Sequence, residues 1–306
     1  MLGIREIGVY IPERREANYT KKEKFGIDDS FLRDKIGVDR HAARDPGDDA
    51  TDMGLKAFQH LASKIDIDRS EVDVLVFVTQ NPDERMPHAG TILHEKIGLP
   101  YTCASFDIPL GCSGYLYGLS VIIGFMKENG MKRGLLITAD PYTKCVNPED
   151  KNTSLLFGDA ATATYVTDDP VLVPGKYVFG NHSEKWRDIK LVDNWLYMNG
   201  TAVVKFVAKY IPENILWTLE KNGLAKEDID RWILHQASRF IHRILSENLG
   251  IPPEKMPWDC RDYGNTVSSS IPIILEKELH DIRFRTFFIS GFGIGLSWGS
   301  TVLKRI

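Results

Sequence analysis

The sequence predicts an α/β architecture made of two similar halves. Three observations carry this reading. Strands alternate with helices along the chain. The run Asp73–Thr79 is nearly continuous in apolar and β-branched residues, as a strand covered on both faces requires. The order strand, helix, strand, glycine-bearing hairpin also occurs twice. The join falls near Asp168 to Gly175, where Asp168, Asp169, Pro170 and Pro174 cluster. Residues 1–170 and 171–306 are therefore read as an N-terminal and a C-terminal half.

In the first half, Ala50 to Lys64 reads as an amphipathic helix with Met53, Leu55, Phe58 and Leu61 on one face. The strand Asp73–Thr79 follows. Ser113 to Lys127 is apolar nearly all round and so reads as a buried helix. Arg133 to Ala139 is the next strand, and Thr153 to Val166 reads as paired strands around Gly158-Asp159. In the second half, Asp230 to His235 is a strand, Arg239 to Leu249 a helix, and Val267 to Leu279 a helix entered from Gly264-Asn265. Arg285 to Ser290 is a strand, and Gly291 to Arg305 a Gly-rich turn with a closing strand.

A chain of 306 residues can bury a large core, and its length suits two domains or one large α/β unit. Its 38 basic and 42 acidic residues leave a net charge of −4, which provides no general attraction for nucleic acid or an anionic membrane. Met1 to Glu13 lacks the basic start, apolar stretch and small-residue site of a signal peptide. The most apolar stretch, Tyr115 to Met126, falls far short of the roughly 20 residues that span a bilayer. Cys103, Cys112, Cys145 and Cys260 form no Cys-x-x-Cys pair, so no zinc motif or disulfide framework is visible. These features read as a cytoplasmic protein with free thiols and no metal.

Three residues stand out. Cys112 follows Gly111 at the start of a helix, where the macrodipole favours thiolate and small neighbours allow close approach. By spacing alone it is equally a packed cysteine. His235 ends an apolar strand, the place where α/β sheets bind ligands, or else it is a hydrogen-bonded cap. Asn265 precedes a helix beginning in Ser268-Ser269-Ser270; it is either an N-cap or an amide donor beside His235. The Gly-rich stretch Gly291 to Gly299 fits neither a dinucleotide fingerprint nor a P-loop. Its backbone N–H groups suit a developing oxyanion, and the bland alternative is a tight hairpin. Cys, His and Asn together suit acyl transfer through a thioester.

At this point the sequence resembles the β-ketoacyl-acyl carrier protein synthase III family of the thiolase superfamily. The resemblance covers essentially the whole chain. It is carried by Asp107 to Tyr115, Phe157 to Ala163, Leu234 to Ala237, Gly264 to Thr266 and Gly293 to Gly299. It implies a thiolase-like fold, with two duplicated halves in a five-layer αβαβα sandwich, and a homodimer. It implies Cys112 as nucleophile, with His235 and Asn265 serving condensation. It places an oxyanion hole on the backbone N–H groups of Cys112 and Gly295. The implied reaction is a decarboxylating condensation of an acyl-CoA with malonyl-acyl carrier protein. No cofactor is implied, CoA entering only as the substrate thioester. A thiolase would need a second cysteine where Ile294, Gly295 and Leu296 stand.

The resemblance also assigns substrate contacts. Phe31 stands where the family often has Trp, and Lys35 and Lys151 where it often has Arg, at the CoA site. Phe157 is read as substrate-binding. Met86 replaces a Phe that commonly lines the acyl pocket across the dimer, so a chain longer than acetyl fits the substitution. Lys205 and Arg239 are the expected carrier-protein docking residues, with Phe240 in place of a further Arg. Two rivals stand beside this reading. One is an acyltransferase using another acceptor, with His235 as general base; a non-decarboxylating version would need a carboxylate such as Glu84. The other is an idle partner subunit, against which the intact Cys112, His235 and Asn265 set speaks.

Overall fold

The computed structural model describes all 306 residues. The chain opens with β1 (Gly3–Tyr10), then β2 (Arg15–Ala17) and β3 (Arg40–Ala42) flanking the one-turn α1 (Lys22–Phe25). Next come α2 (Ala50–Lys64), β4 (Val74–Val78), α3 (Ala89–Ile97), β5 (Ala104–Ile108), α4 (Gly114–Glu128) and β6 (Arg133–Ala139). The one-turn α5 (Lys151–Ser154) leads to β7 (Ala161–Thr167) and the short β8 (Leu172–Pro174). The remainder comprises β9 (Val178–Asn181), a hairpin of β10 (Ile189–Val192) and β11 (Trp195–Met198), and α6 (Gly200–Asn222). It closes with β12 (Arg231–Leu234), α7 (Arg239–Leu249), α8 (Ser270–Glu278), β13 (Thr286–Gly293) and β14 (Ser297–Arg305).

Two groups of strands have the same pairing logic. In one, β5, β4 and β6 are parallel while β7 and β1 continue antiparallel. In the other, β12 and β13 are parallel while β14 returns antiparallel and pairs β9. Strand β8 bonds to both β1 and β14 and so joins the two groups in one hydrogen-bonded path.

The helices arrange these strands into layers. Helices α2 and α3 pack on β1, β4, β5, β6 and β7 from one side. Helix α4 touches β4 and β6 as well as β13 and β14, and α8 touches β1, β7, β12 and β13. Both therefore lie between the strand groups, while α6 and α7 cover the far side. The sequence of layers is αβαβα, and three hydrophobic clusters fill it. A helix in the middle layer meets apolar surface on two sides, which is why α4 carries apolar residues all round. Gly118 lets it press on β6: a Cβ there would lie 2.7 Å from Leu136.

Helix α2 has the expected bounds, set by a capping box of Asp49 and Asp52. The expected paired strands over Thr153–Val166 are not formed. Only β7 is a strand there, because residues 156–158 pair with Asn265 of the other half of the molecule instead of locally. Asn265 N–H donates to Leu156 O at 2.8 Å, and Gly158 N–H donates to Asn265 O at 3.0 Å. Helices α3 and α6 have no counterpart in the sequence reading.

Candidate active site

Cys112 lies in the turn between β5 and α4, His235 directly after β12, and Asn265 in the segment leading to α8. The layered fold brings all three to one cavity of about 790 Å³, with Phe157, Phe292 and Gly293 also in its wall. Phe31, Lys35, Lys151 and Lys205 line the same cavity, with Phe240. Two of these lysines lie over aromatic faces: Lys35 Nζ is 3.8 Å from the Phe240 ring centre and Lys151 Nζ 5.6 Å from that of Phe31. Arg239 lies outside the cavity wall, exposed, with its guanidinium 5.7 Å from the Trp258 ring. Met86 is far more exposed, at 82%, and takes no part in the cavity of its own chain.

Asn265 is oriented by backbone. Val267 N–H donates to its Oδ1 at 2.9 Å, so Oδ1 is the acceptor end and Nδ2 is the donor end of a side chain that lines the cavity. Val267 has a φ of +54°, a costly conformation for a β-branched residue, and this bend aims its N–H at the amide. His235 N–H donates to Ser290 O at 2.9 Å, which anchors its backbone to β13. Its Nδ1 is 2.7 Å from Ser270 Oγ, and its ring meets Phe292 edge-on. Burial lowers the His235 pKa to about 3, so the imidazole is neutral.

The thiol differs from its sequence expectation. Burial, aided by the negative charge of Asp140, pushes Cys112 up to about 12, while the backbone N–H groups of Ile294 and of Cys112 itself act in the opposite sense. Desolvation outweighs these two N–H contacts, so the resting group is a thiol rather than a thiolate. Asp140 is itself raised to about 6 by burial, although Gln80 N–H and Ser268 Oγ donate to it.

The amide of the Gly-rich turn that meets the sulfur also differs from expectation. The turn's N–H that hydrogen-bonds the thiol belongs to Ile294. Gly295 faces Ser297, and a Cβ added there would meet the Ser297 side chain at 3.0 Å. The Gly-rich turn thus presents the peptide one residue earlier than the resemblance suggested. Sequence reasoning also passed over Gly293, where a Cβ would lie 2.8 Å from both Cβ and Sγ of Cys112. Gly293→Ala is expected to slow acyl transfer to Cys112 by about 100-fold, the scale of a misplaced reacting atom. Loading followed by intact-protein mass spectrometry checks this; unaltered loading would show that the thiol has room to move.

Burial of titratable groups carries a stability signature. His235 is held neutral down to about 3, and His41 and His242 down to about 4, against an ordinary value of 6.5. The unfolded chain binds protons on these three where the fold does not, so stability falls as pH drops from about 6.5 towards 4. Asp140 and Asp159, raised by burial, bind protons more readily in the fold and act oppositely, two groups against three. The thermal midpoint is therefore expected to be lower at pH 5 than at pH 7, with the reverse order contradicting the neutral histidines.

No group of His, Cys, Asp and Glu is placed to hold a metal, and no helix is long and apolar enough to cross a membrane. Comparison with known proteins agrees with the layered fold. Residues 106–178 match the family described as 3-oxoacyl-[acyl-carrier-protein] synthase III, and residues 219–305 its C-terminal part. The chain is 32% identical to β-ketoacyl-[acyl-carrier-protein] synthase III 1 of Halalkalibacterium halodurans, with 99% of this chain and 98% of that protein covered. It is 31% identical to the synthase III of Geobacillus kaustophilus, with the same coverage. A crystal structure of a 3-oxoacyl-(acyl-carrier-protein) synthase III superposes with a TM-score of 0.92 at 29% identity, covering 99% of both chains.

Proposed function

The chain belongs to the 3-oxoacyl-[acyl-carrier-protein] synthase III family, and from that membership we propose that it condenses an acyl-CoA with a malonyl thioester of acyl carrier protein, releasing CO₂, through an acyl group on Cys112. The observation that carries the assignment of residues is the convergence of Cys112, His235 and Asn265 on one cavity.

In the first half-reaction, Cys112 attacks the thioester carbonyl. The oxyanion is held by the N–H groups of Cys112 and Ile294, the two that hydrogen-bond the sulfur. CoA leaves as its thiol, taking the proton that Cys112 gives up, and the acyl group stays on sulfur. In the second, the malonyl thioester enters and loses CO₂. His235 Nε2 and Asn265 Nδ2, opposite the atoms engaged by Ser270 and by Val267 N–H, donate to the thioester oxygen as enolate charge develops. The enolate carbon attacks the acyl carbonyl, the C–S bond to Cys112 breaks, and the released sulfur takes up one proton. A thiol with so high a pKa recovers that proton readily.

In the same reading, residues 1–170 supply the nucleophile and 171–306 the two donors. Phe31, Lys35, Lys151 and Phe157 contact the CoA ester, and Lys205 and Arg239 receive the carrier protein at the cavity mouth. The protein is a cytoplasmic homodimer, and the exposed Met86 reaches the partner's acyl pocket. The test is intact-protein mass spectrometry with acyl-CoAs of graded length, followed by malonyl-carrier protein. An adduct on Cys112, discharged with CO₂, is expected. Discharge to an acceptor without CO₂ would favour the acyltransferase alternative, and no adduct would favour an idle subunit.

A further inference from the structure

The three successive serines before α8 have separate tasks. Ser268 Oγ donates to Asp140 Oδ2 at 2.6 Å, and Ser269 Oγ lies 2.7 Å from Thr138 Oγ1; both bonds tie the segment to β6. Ser270, fully buried at the first residue of α8, has no such anchor. Its hydroxyl lies 2.7 Å from His235 Nδ1 and 3.1 Å from Val267 O.

This places one hydroxyl between two incompatible arrangements. If Ser270 O–H donates to Nδ1, that nitrogen carries no proton, and a neutral imidazole must then carry its proton on Nε2. If the hydroxyl turns to Val267 O, it accepts from Nδ1–H, and Nε2 presents a lone pair to the cavity instead. Only the first arrangement makes His235 a donor. The donor role read for His235 selects it, and 2.7 Å is an ordinary length for a hydroxyl donating to a ring nitrogen, with Val267 O then keeping the backbone N–H of Ser270.

We propose that Ser270 is a positioning residue for condensation: its hydroxyl donates to His235 Nδ1 and thereby holds the imidazole in the Nε2–H tautomer. The inference rests on the reading of His235 as a hydrogen-bond donor in the second half-reaction. It gives Ser270 no part in acyl transfer to Cys112, since the hydroxyl faces the far side of the imidazole and touches no group at the sulfur.

The first measurement is spectroscopic. Nitrogen-15 NMR of histidine-labelled protein distinguishes a protonated from a bare ring nitrogen. His235 is expected as Nε2–H in the native enzyme and as an altered or mixed tautomer in Ser270→Ala. The second separates the half-reactions. Ser270→Ala is expected to load Cys112 from acyl-CoA within about twofold of native, but to discharge it onto malonyl-carrier protein at least about tenfold more slowly, the lower range of a lost proton-positioning contact. Ser270→Thr keeps the hydroxyl and is expected to restore discharge. If Ser270→Ala is poorly folded, Ser270→Cys, with a weaker donor of similar shape, takes its place and is expected to show the same split.

An Nδ1–H signal for His235 in the native enzyme would overturn the proposal. So would native discharge by Ser270→Ala, or equal slowing of both half-reactions, which would mark a packing role. Absence of CO₂ release by the native enzyme would instead refute the condensing reading itself, and the NMR result stands apart from that outcome.

Discussion

Cys112→Ser is expected to remove the acyl adduct and to lower condensation by about 10,000-fold or more, the scale seen when a covalent nucleophile is lost. Oxygen replaces sulfur in a pocket that already holds the thiol protonated, with a pKa of about 12. A hydroxyl is harder still to ionise there, and no neighbouring base touches it. The fold should persist, because the substitution is nearly isosteric. The check is paired: adduct mass after exposure to acyl-CoA, and CO₂ release with malonyl-carrier protein. Cys103, Cys145 and Cys260 are also buried free thiols, but none lines the cavity. An adduct persisting in Cys112→Ser would therefore move the nucleophile elsewhere and end the present reading.

His235→Ala and Asn265→Ala should behave differently. Each removes one donor to the enolate oxygen and is expected to lower condensation by about 100- to 1,000-fold, the usual loss for an oxyanion-type donor. Acyl loading should remain within a few-fold of native, because neither donor serves the first oxyanion. The double variant should lose less than the product of the two single losses, since both groups address one oxygen. Single-turnover measurement of loading and discharge separates these effects. Equal losses in both half-reactions would show that His235 acts as the base for the thiol rather than as a donor to the enolate.

Much of this was legible before folding. The apolar spacing in Ala50–Lys64 predicted α2 to the residue, and Arg239–Leu249 likewise predicted α7, where Ser238 caps the start and Gly250 ends the helix. Both are local signals. Helix α6 has an apolar stripe of Val203, Phe206, Val207, Ile211, Ile215 and Leu219 at helical spacing, but Pro212 and the exposed Leu216 and Trp217 off that face obscure it in the sequence. The supposed hairpin at Gly158 failed for a related reason. A Cβ on Gly158 would lie 1.9 Å from Tyr263 O, so that glycine serves a close crossing to a distant segment rather than a local turn.

The amino-acid order alone determined which side chains were chemically eligible: a cysteine at a helix start, a histidine at a strand end, an asparagine before a serine run, and a glycine-rich turn. Only the tertiary structure decided their states. Burial set the thiol at about 12 and the imidazole at about 3, reversing the helix-terminus expectation for Cys112. The close approach of Gly291 and Gly293 in β13 to Cys112 goes with Ile294, not Gly295, bringing its N–H to the sulfur. Desolvation and the aim of a hydrogen bond depend on atoms far apart along the chain, and no local pattern encodes them.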